Sequence, residues 1–234
     1  MGEFLPKIQE RLRRDLPVFR VSRTQEILLT PKPVVGSHER WLLSNKEMTR
    51  TVVLAPDFVV LVASAYTVFE DFADVLRNVL DVVGAETQVA LSDRLGLRYV
   101  DLIRLAEGES FDQYLDPGLA GVPAAALGAT KVLQRVQIQA ETATGTLRVQ
   151  LWQTDDGSFL PPDLQGEDVK FPFAAPAHGE TVTILDIDHL SPRQRDFNVE
   201  RLIEDMWRLH DGSDHAFRTI ATDFARARWG AEPG

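Results

Sequence analysis

Three neighbouring side chains close to residue 188 have the types that suit a metal centre. Asp186 and Asp188 are two apart in a predicted strand, so their carboxylates share one face, and His189 follows at the strand's end. Hard divalent cations prefer carboxylate oxygens, and an imidazole can complete the set. We therefore predict Asp186, Asp188 and His189 as a candidate metal site. The alternative is that these acids discourage edge pairing or cap the turn before Ser191.

A second candidate lies in the predicted strand at 94–105. Arg98 shares a face with Gly96, whose missing side chain predicts either a β-bulge or room for a ligand or another backbone. A guanidinium there can bind a carboxylate or a phosphate through paired N–H donors. The alternative is a structural ion pair with one of the many acidic residues. Asp101, three positions further on, falls on the opposite face.

A predicted hairpin supplies more polar side chains. Its strands are Lys131–Glu141 and Gly145–Gln153, which turn at Thr144–Gly145. Alternation places Val136, Ile138 and Ala140 opposite Leu147, Val149 and Leu151 on one face, and it places Arg135, Gln137, Gln139, Arg148, Gln150 and Trp152 on the other, wet face. Together with His210 of the last predicted helix, these strands supply the residues that we predict for ligand or partner binding: Arg98, Tyr99, Asp101, Arg135, Arg148, Trp152 and His210.

Two histidines of the last predicted helix do not form a metal-binding pair. His210 and His215 are five apart, about 140° around a helix axis, whereas a zinc protease helix uses a spacing of four. The ordinary interpretation of His210, next to apolar Leu209, is a partly buried ring that is hydrogen-bonded across to a strand.

Composition and missing motifs exclude several classes. The chain has 234 residues and no cysteine, which excludes disulfides, thiolate zinc sites and cysteine nucleophiles. No Gly-x-Ser-x-Gly, P-loop or Gly-x-Gly-x-x-Gly motif occurs. The net charge of −10 disfavours nucleic acid and anionic membranes as partners. The sequence shows no apolar leader and no apolar run long enough to span a membrane, so we expect a cytoplasmic protein. We also expect it to use no cofactor.

Hydrophobic periodicity predicts the elements that must position these residues. We expect a short helix and an extended lead-in over residues 1–40, then a hairpin of Thr51–Ala55 and Phe58–Ala65. A capping box at Thr67–Glu70 begins an amphipathic helix that Gly84 ends. A last helix carries apolar residues from Leu202 to Phe224 and is continuous across Asp211–Gly212.

Several motifs resemble a sporadically distributed prokaryotic family of uncharacterised proteins. The motifs are Arg94–Asp101 with its Gly-Leu-Arg-Tyr core, Tyr66, Asp186-Ile-Asp188 and Leu209-His210, and the similarity runs from Trp41 to Gly230. The family commonly has asparagine where Asp101 stands, and its N-terminal strand is not recognisable here. The resemblance implies a fold and little chemistry. The family's patchy distribution favours an accessory defence or toxin–antitoxin module.

The predicted fold class is α+β: a mainly antiparallel sheet of about six or seven strands, with two long helices on one face. We expect an α+β domain over residues 41–234, with duplicated halves at 41–115 and 130–230 and a seam in the glycine- and proline-rich segment 106–130. The leading hypothesis is a non-catalytic binding or regulatory protein with a protein partner or as a homodimer. The alternatives are a hydrophobic ligand held between helix and sheet, and a metal-dependent enzyme using Asp186 and Asp188.

Overall fold

The chain forms antiparallel strands, two long helices and several short ones, in alternating groups. The structure, a computed structural model, describes residues 1–28, 34–164 and 169–230. The helices are α1 Leu5–Leu12, α2 Phe69–Thr87, α3 Phe111–Tyr114, α4 Pro117–Ala120, α5 Val199–Ile220 and α6 Asp223–Arg228. The strands are β1 Val18–Leu28, β2 Val34–Ser44, β3 Arg50–Leu54, β4 Val59–Ala63, β5 Leu91–Ser92, β6 Leu95–Ile103, β7 Arg135–Glu141, β8 Thr146–Thr154, β9 Val182–Ser191 and β10 Arg195–Asp196.

These elements belong to two compact units. The first comprises Met1–Leu91, Gly166–Ala174 and Asp196–Ile203, and the second comprises Ser92–Gln165, Ala175–Arg195 and Glu204–Gly234. Each unit has its own four-stranded sheet, and a two-stranded ladder pairs β5 with β10. The predicted candidate residues all lie in the second unit.

The first unit is built on an antiparallel meander in the order β1-β2-β3-β4. The hairpin predicted from its β-branched residues is confirmed as β3 and β4, with Val52 opposite Leu61. Residues 1–40 differ from the predicted extended lead-in, because β1 and β2 pair along their whole length, from Val18 opposite Ser44 onwards. An N-terminal strand therefore exists, although its mixed polar sequence did not indicate one.

The amphipathic helix of the first unit is confirmed as α2, but both of its predicted ends are wrong. Its N-cap is Val68, and no side chain caps the first turn, so Thr67 and Glu70 do not form a capping box. The helix runs past Gly84 and ends at Thr87, and the next residue, Gln88, caps it in the left-handed conformation. A Cβ atom on Gly84 would lie 2.8 Å from the ring of Phe197, so this glycine permits close packing and does not end the helix.

The second unit has a four-stranded antiparallel sheet in the order β6-β9-β8-β7. The predicted hairpin is confirmed as β7 and β8, with Val136 opposite Leu151 and Ile138 opposite Val149. The register of β6 against β9 is unbroken, so Gly96 marks no bulge. A Cβ atom there would lie 2.8 Å from a methyl carbon of Leu190, which is the close approach that the glycine permits.

One face of this second sheet is a core. Alternate residues of β6, β8 and β9 pack there with residues of α3, α4, α5 and α6, and their burial removes apolar surface from water. The fully buried members include Ile103, Leu151, Leu185 and Ile187 from the sheet, and Tyr114, Ile220 and Ala225 from the helices. The opposite face of the sheet carries the polar side chains.

The predicted fold class is confirmed as α+β with antiparallel sheets. A single sheet of six or seven strands is wrong, because the strands divide into separate sheets of four, four and two. The last helix is continuous across Gly212 as predicted, but α5 ends at Ile220, and Phe224 belongs to α6, where it is 41% exposed.

The division between the units lies elsewhere than the predicted seam. The chain first crosses from one unit to the other between Leu91 and Ser92, because β6 pairs with β9 nearly ninety residues later and so belongs to the second unit. Pairing over such a separation leaves no local signal in the sequence. The two four-stranded sheets differ in strand order, and a duplication of two halves stays a prediction. No helix within the described ranges is long and apolar enough to cross a membrane.

Candidate functional site: the polar face of the second sheet

The polar face of the second sheet carries a row of charged residues in register. Arg98 of β6 lies opposite Asp188 of β9, which lies opposite Arg148 of β8, which lies opposite Gln139 of β7. Neighbouring strands are about 4.8 Å apart, so positive and negative side chains alternate at that spacing. This row follows from the alternation of the strands and their register.

Arg98 is held by two aspartates at once. Its Nε and Nη2 atoms donate to the two carboxylate oxygens of Asp186, each at 2.7 Å. Its Nη1 and Nη2 atoms donate to Asp163 at 2.6 and 3.2 Å. Both edges of the guanidinium are therefore in fork-like contact with a carboxylate. The ion-pair alternative predicted for Arg98 is what the structure shows, with two acids.

The two aspartates differ in their environment. The side chain of Asp186 is 2% exposed, whereas that of Asp163 is 63% exposed. Asp186 stands on β9 and is diagonal to Arg98, and Asp163 stands on a 3-10 turn, Pro162–Leu164. One carboxylate is thus a fixed part of the interior, while the other approaches from a surface turn.

The pKa values of this cluster reflect its contacts. Burial works to lower the pKa of the Arg98 guanidinium, but hydrogen bonds to Asp186 and Asp163 outweigh it and hold the pKa above its ordinary value. The bond from Arg98 lowers the pKa of Asp163. Burial raises the pKa of Asp188, the charge of Asp186 adds to this effect, and Arg98 and Arg148 oppose it.

Two charged groups in the row keep unused bonding capacity. Arg148 donates from Nε to Gln139 at 3.3 Å, and within the described part of the chain its Nη atoms meet no acceptor. Asp188 likewise accepts no hydrogen bond from any residue that the structure describes, although arginines flank it on both neighbouring strands. Both groups can bind a further polar partner.

A stacked pair divides the polar face into two depressions. The guanidinium carbon of Arg135 lies 5.3 Å from the ring centroid of Trp152. One depression of about 230 Å³ is lined by Arg98, Arg135, Arg148, Gln150, Trp152, Pro161, Pro162, Asp163, Asp186 and Asp188. The other, of about 310 Å³, shares Arg135, Trp152 and Pro162 and extends along Leu133, Gln134, Gln153, Thr154, Asp156, Ser158 and Leu160. The shared wall makes them adjacent.

The predicted metal set does not come together. His189 points to the core face, away from Asp186 and Asp188, because it stands one residue out of phase with them. Its Nδ1 atom lies 3.0 Å from the carbonyl oxygen of Leu209, and its Nε2 lies 2.9 Å from the hydroxyls of Thr142 and Thr144. A carbonyl only accepts, so Nδ1 carries the proton and Nε2 accepts from a threonine.

The carboxylates of this set also lack a metal-like arrangement. Both oxygens of Asp186 accept N–H groups from Arg98. Within the described ranges no group of three or more His, Asp or Glu side chains is placed to hold a metal ion.

The remaining predicted residues lie on the core face. The Tyr99 hydroxyl lies 2.9 Å from Nδ1 of His210, which places a partly buried histidine across from a strand as its sequence context predicted. Asp101 shares that face of β6, and burial raises the pKa of its carboxyl to about 6. Tyr99, Asp101 and His210 are therefore separated by the sheet from the polar depressions.

Six of the predicted residues do line one depression: Arg98, Arg135, Arg148, Trp152, Asp186 and Asp188. Strand alternation placed the hairpin residues on this face, and register against β9 adds the others. Sequence reasoning missed Asp163, which is 65 residues from Arg98 in a proline-marked loop without periodicity. Its Pro-Pro-Asp context indicates a tight turn and does not indicate a partner.

No family model, curated protein or solved structure matches this chain. The resemblance carried by the Gly-Leu-Arg-Tyr motif stays a prediction.

Proposed function

We propose that this chain is a non-catalytic binding protein that recognises an extended segment of a protein partner on the polar face of the second sheet. The observation that carries the proposal is the pair of adjacent depressions on either side of the Arg135–Trp152 stack. Two shallow depressions in line suit a chain with successive side chains better than a compact ligand, which buries most of its surface in one cavity.

The open edge of the sheet supports the same proposal. β7 is the terminal strand in the order β6-β9-β8-β7, and all its residues except Val136 are exposed. An edge strand presents unpaired backbone N–H and C=O groups to which an extended segment can add as a further strand. Arg135 stands at the start of this edge and also lines both depressions, so backbone pairing and side-chain recognition can act together.

The other functional hypotheses have less support. A hydrophobic ligand between helix and sheet would need space where Leu151, Ile187 and Ile220 are packed together. A metal-dependent enzyme would need Asp186 free of Arg98 and His189 on the other face. The proposal includes a cytoplasmic location, which the lack of cysteine supports. It also includes a role in an accessory defence or toxin–antitoxin module, which the sequence resemblance supports.

The test is selection of displayed random peptides against the purified chain. We expect enriched peptides to bind the wild-type chain and to lose at least about tenfold in affinity with Arg135→Glu, since reversing an interfacial charge leaves an unfavourable pair. Arg193→Glu is the matched control, because this exposed arginine of the second unit lines neither depression. Peptides that bind both variants equally would contradict the proposal.

Light scattering of the wild-type chain distinguishes the homodimer alternative. A dimer that dissociates with Arg135→Glu and persists with Arg193→Glu would identify the partner as a second copy. A monomer that enriches Arg135-dependent peptides supports a different protein partner.

A further inference from the structure

We infer that the depression around Arg98 and Arg148 is a subsite for a carboxylate of the partner segment. In the unbound chain, the Asp163 carboxylate binds Arg98 in place of the partner's carboxylate. This inference rests on the proposed function and names the chemistry that the site recognises. It assigns Asp163 the role of an internal competitor.

The bonding of Arg98 shows which contact is exchangeable. Asp186 takes the Nε and Nη2 edge of the guanidinium from a buried position on β9, and this contact fixes the direction of the side chain. Asp163 takes the Nη1 and Nη2 edge from the surface. A carboxylate of a partner can reproduce the second contact atom for atom, because the geometry of a fork-like pair is the same for any carboxylate.

The exposure of Asp163 makes its displacement inexpensive. An ion pair with one partner 63% exposed contributes little to stability, whereas removing one partner of a buried pair costs several times as much. The 3-10 turn that carries Asp163 spans only Pro162–Leu164, and Pro162 and Asp163 are both exposed. Asp186 therefore stays in place when Asp163 leaves.

The charge balance of the depression favours exchange over simple addition. Arg98, Arg135 and Arg148 face Asp163, Asp186 and Asp188, so the formal charges cancel. An added carboxylate leaves one excess negative charge unless an aspartate leaves, and Asp163 is the most exposed of the three. Exchange of Asp163 for an incoming carboxylate keeps the depression neutral.

Arg148 provides the second half of the subsite. It lies two strands from Arg98 across Asp188, and its Nη donors are unoccupied among the described residues. A carboxylate bound to Arg98 on this side can receive donors from Arg148 as well, since both side chains line the same depression. Loss of Arg148 should therefore weaken carboxylate binding and leave the Arg98–Asp186 contact unchanged.

The experiment titrates the full chain with two peptide probes, acetyl-Gly-Asp-Gly-amide and acetyl-Gly-Asn-Gly-amide, in a calorimeter. We expect Asp163→Asn to bind the aspartate probe about five- to tenfold more tightly than the wild type, which corresponds to the loss of one exposed competing pair. Arg148→Gln in the Asp163→Asn background should remove the gain. The asparagine probe should bind neither protein.

Asp112→Asn is the matched control, because this exposed aspartate of the second unit lines neither depression, and it should behave as the wild type. Asp163→Ser is a second variant that removes the carboxylate and keeps the turn polar. Urea unfolding of both Asp163 variants checks that they are folded, and we expect each to have an unfolding midpoint close to that of the wild type.

Each remaining outcome overturns a distinct statement. Equal, Arg148-dependent binding by the wild type and Asp163→Asn would overturn the role of Asp163 and leave the proposed function standing. No binding by either protein would overturn the carboxylate subsite, while the peptide selection still decides partner binding. Succinate that binds as tightly as the aspartate probe would overturn the partner segment as the source of the carboxylate.

Discussion

At the scale of single residues, Asp101 is a carboxyl group whose burial disfavours its ionised form. It faces the core side of β6 next to the register position of Leu185, and no described residue donates a hydrogen bond to it. Burial alone raises its pKa to about 6 from the ordinary 3.8. The folded state therefore binds this proton more tightly than the unfolded state does, and ionisation of the buried carboxyl at neutral pH costs stability.

We expect Asp101→Asn to stabilise the chain at pH 7.5. With the folded pKa above the unfolded pKa, the contribution of Asp101 is fully present below about pH 4 and is lost as the pH rises through about 6. A shift of this size corresponds to at most about 3 kcal/mol. The asparagine variant should lose this pH dependence between pH 4 and 7, as measured by urea unfolding across that range.

Asp57→Asn serves as the control, because Asp57 is exposed in the turn between β3 and β4. Its unfolding curve should follow that of the wild type at each pH. A pH dependence of Asp101→Asn equal to that of the wild type would show that another group causes it.

At the scale of elements, α5 packs closely against the His189 side chain of β9 at Gly212. A Cβ atom on Gly212 would lie 2.6 Å from Cε1 of His189, and that ring is held by the Leu209 carbonyl and two threonine hydroxyls. The glycine is thus required by close packing of helix and strand, although glycine weakens a helix interior by about 1 kcal/mol relative to alanine.

We expect Gly212→Ala to destabilise the chain by about 2 kcal/mol despite the higher helix propensity of alanine, because the His189 ring must move and leave a buried nitrogen unsatisfied. Asp211→Ala, on the exposed side of the same turn, is the matched control and should be neutral or slightly stabilising. Thermal unfolding of the two variants measures the difference. A stabilised Gly212→Ala would show that the ring has room.

Elements with a strong local period were predictable from sequence. The pairs of β7 with β8 followed from alternation, and the buried stripe of α2 followed from spacings of three and four. The end of α2 was not predictable from Gly84, because the demand for a glycine comes from Phe197, more than a hundred residues away. Arg98 and its partner Asp163 are likewise far apart in the sequence. The strand residues of the site, including Arg98, could therefore be predicted, but Asp163 could not.

At the scale of the whole molecule, the assignment of β6 decides where the chain can be divided. β6 pairs with β9 from Leu95 opposite Ser191 to Ile103 opposite Thr183, and Ile103 is fully buried in the core of the second unit. Tyr114 and Leu115 belong to that core as well. The predicted half at 130–230 lacks β6 with Ile103, and it also lacks Tyr114 and Leu115, whereas a fragment of 92–230 keeps them.

We therefore expect fragment 92–230 to unfold cooperatively in urea and fragment 130–230 to show no transition. Without β6 the shorter fragment exposes β9 as an edge, loses the buried Ile103 and leaves Asp186 without Arg98. Near-UV circular dichroism reports the packing of the aromatic residues, which in both fragments include Trp152, buried on β8 of the second sheet. A native-like signal from 130–230 would show that β6 is dispensable and that the second sheet is stable with three strands.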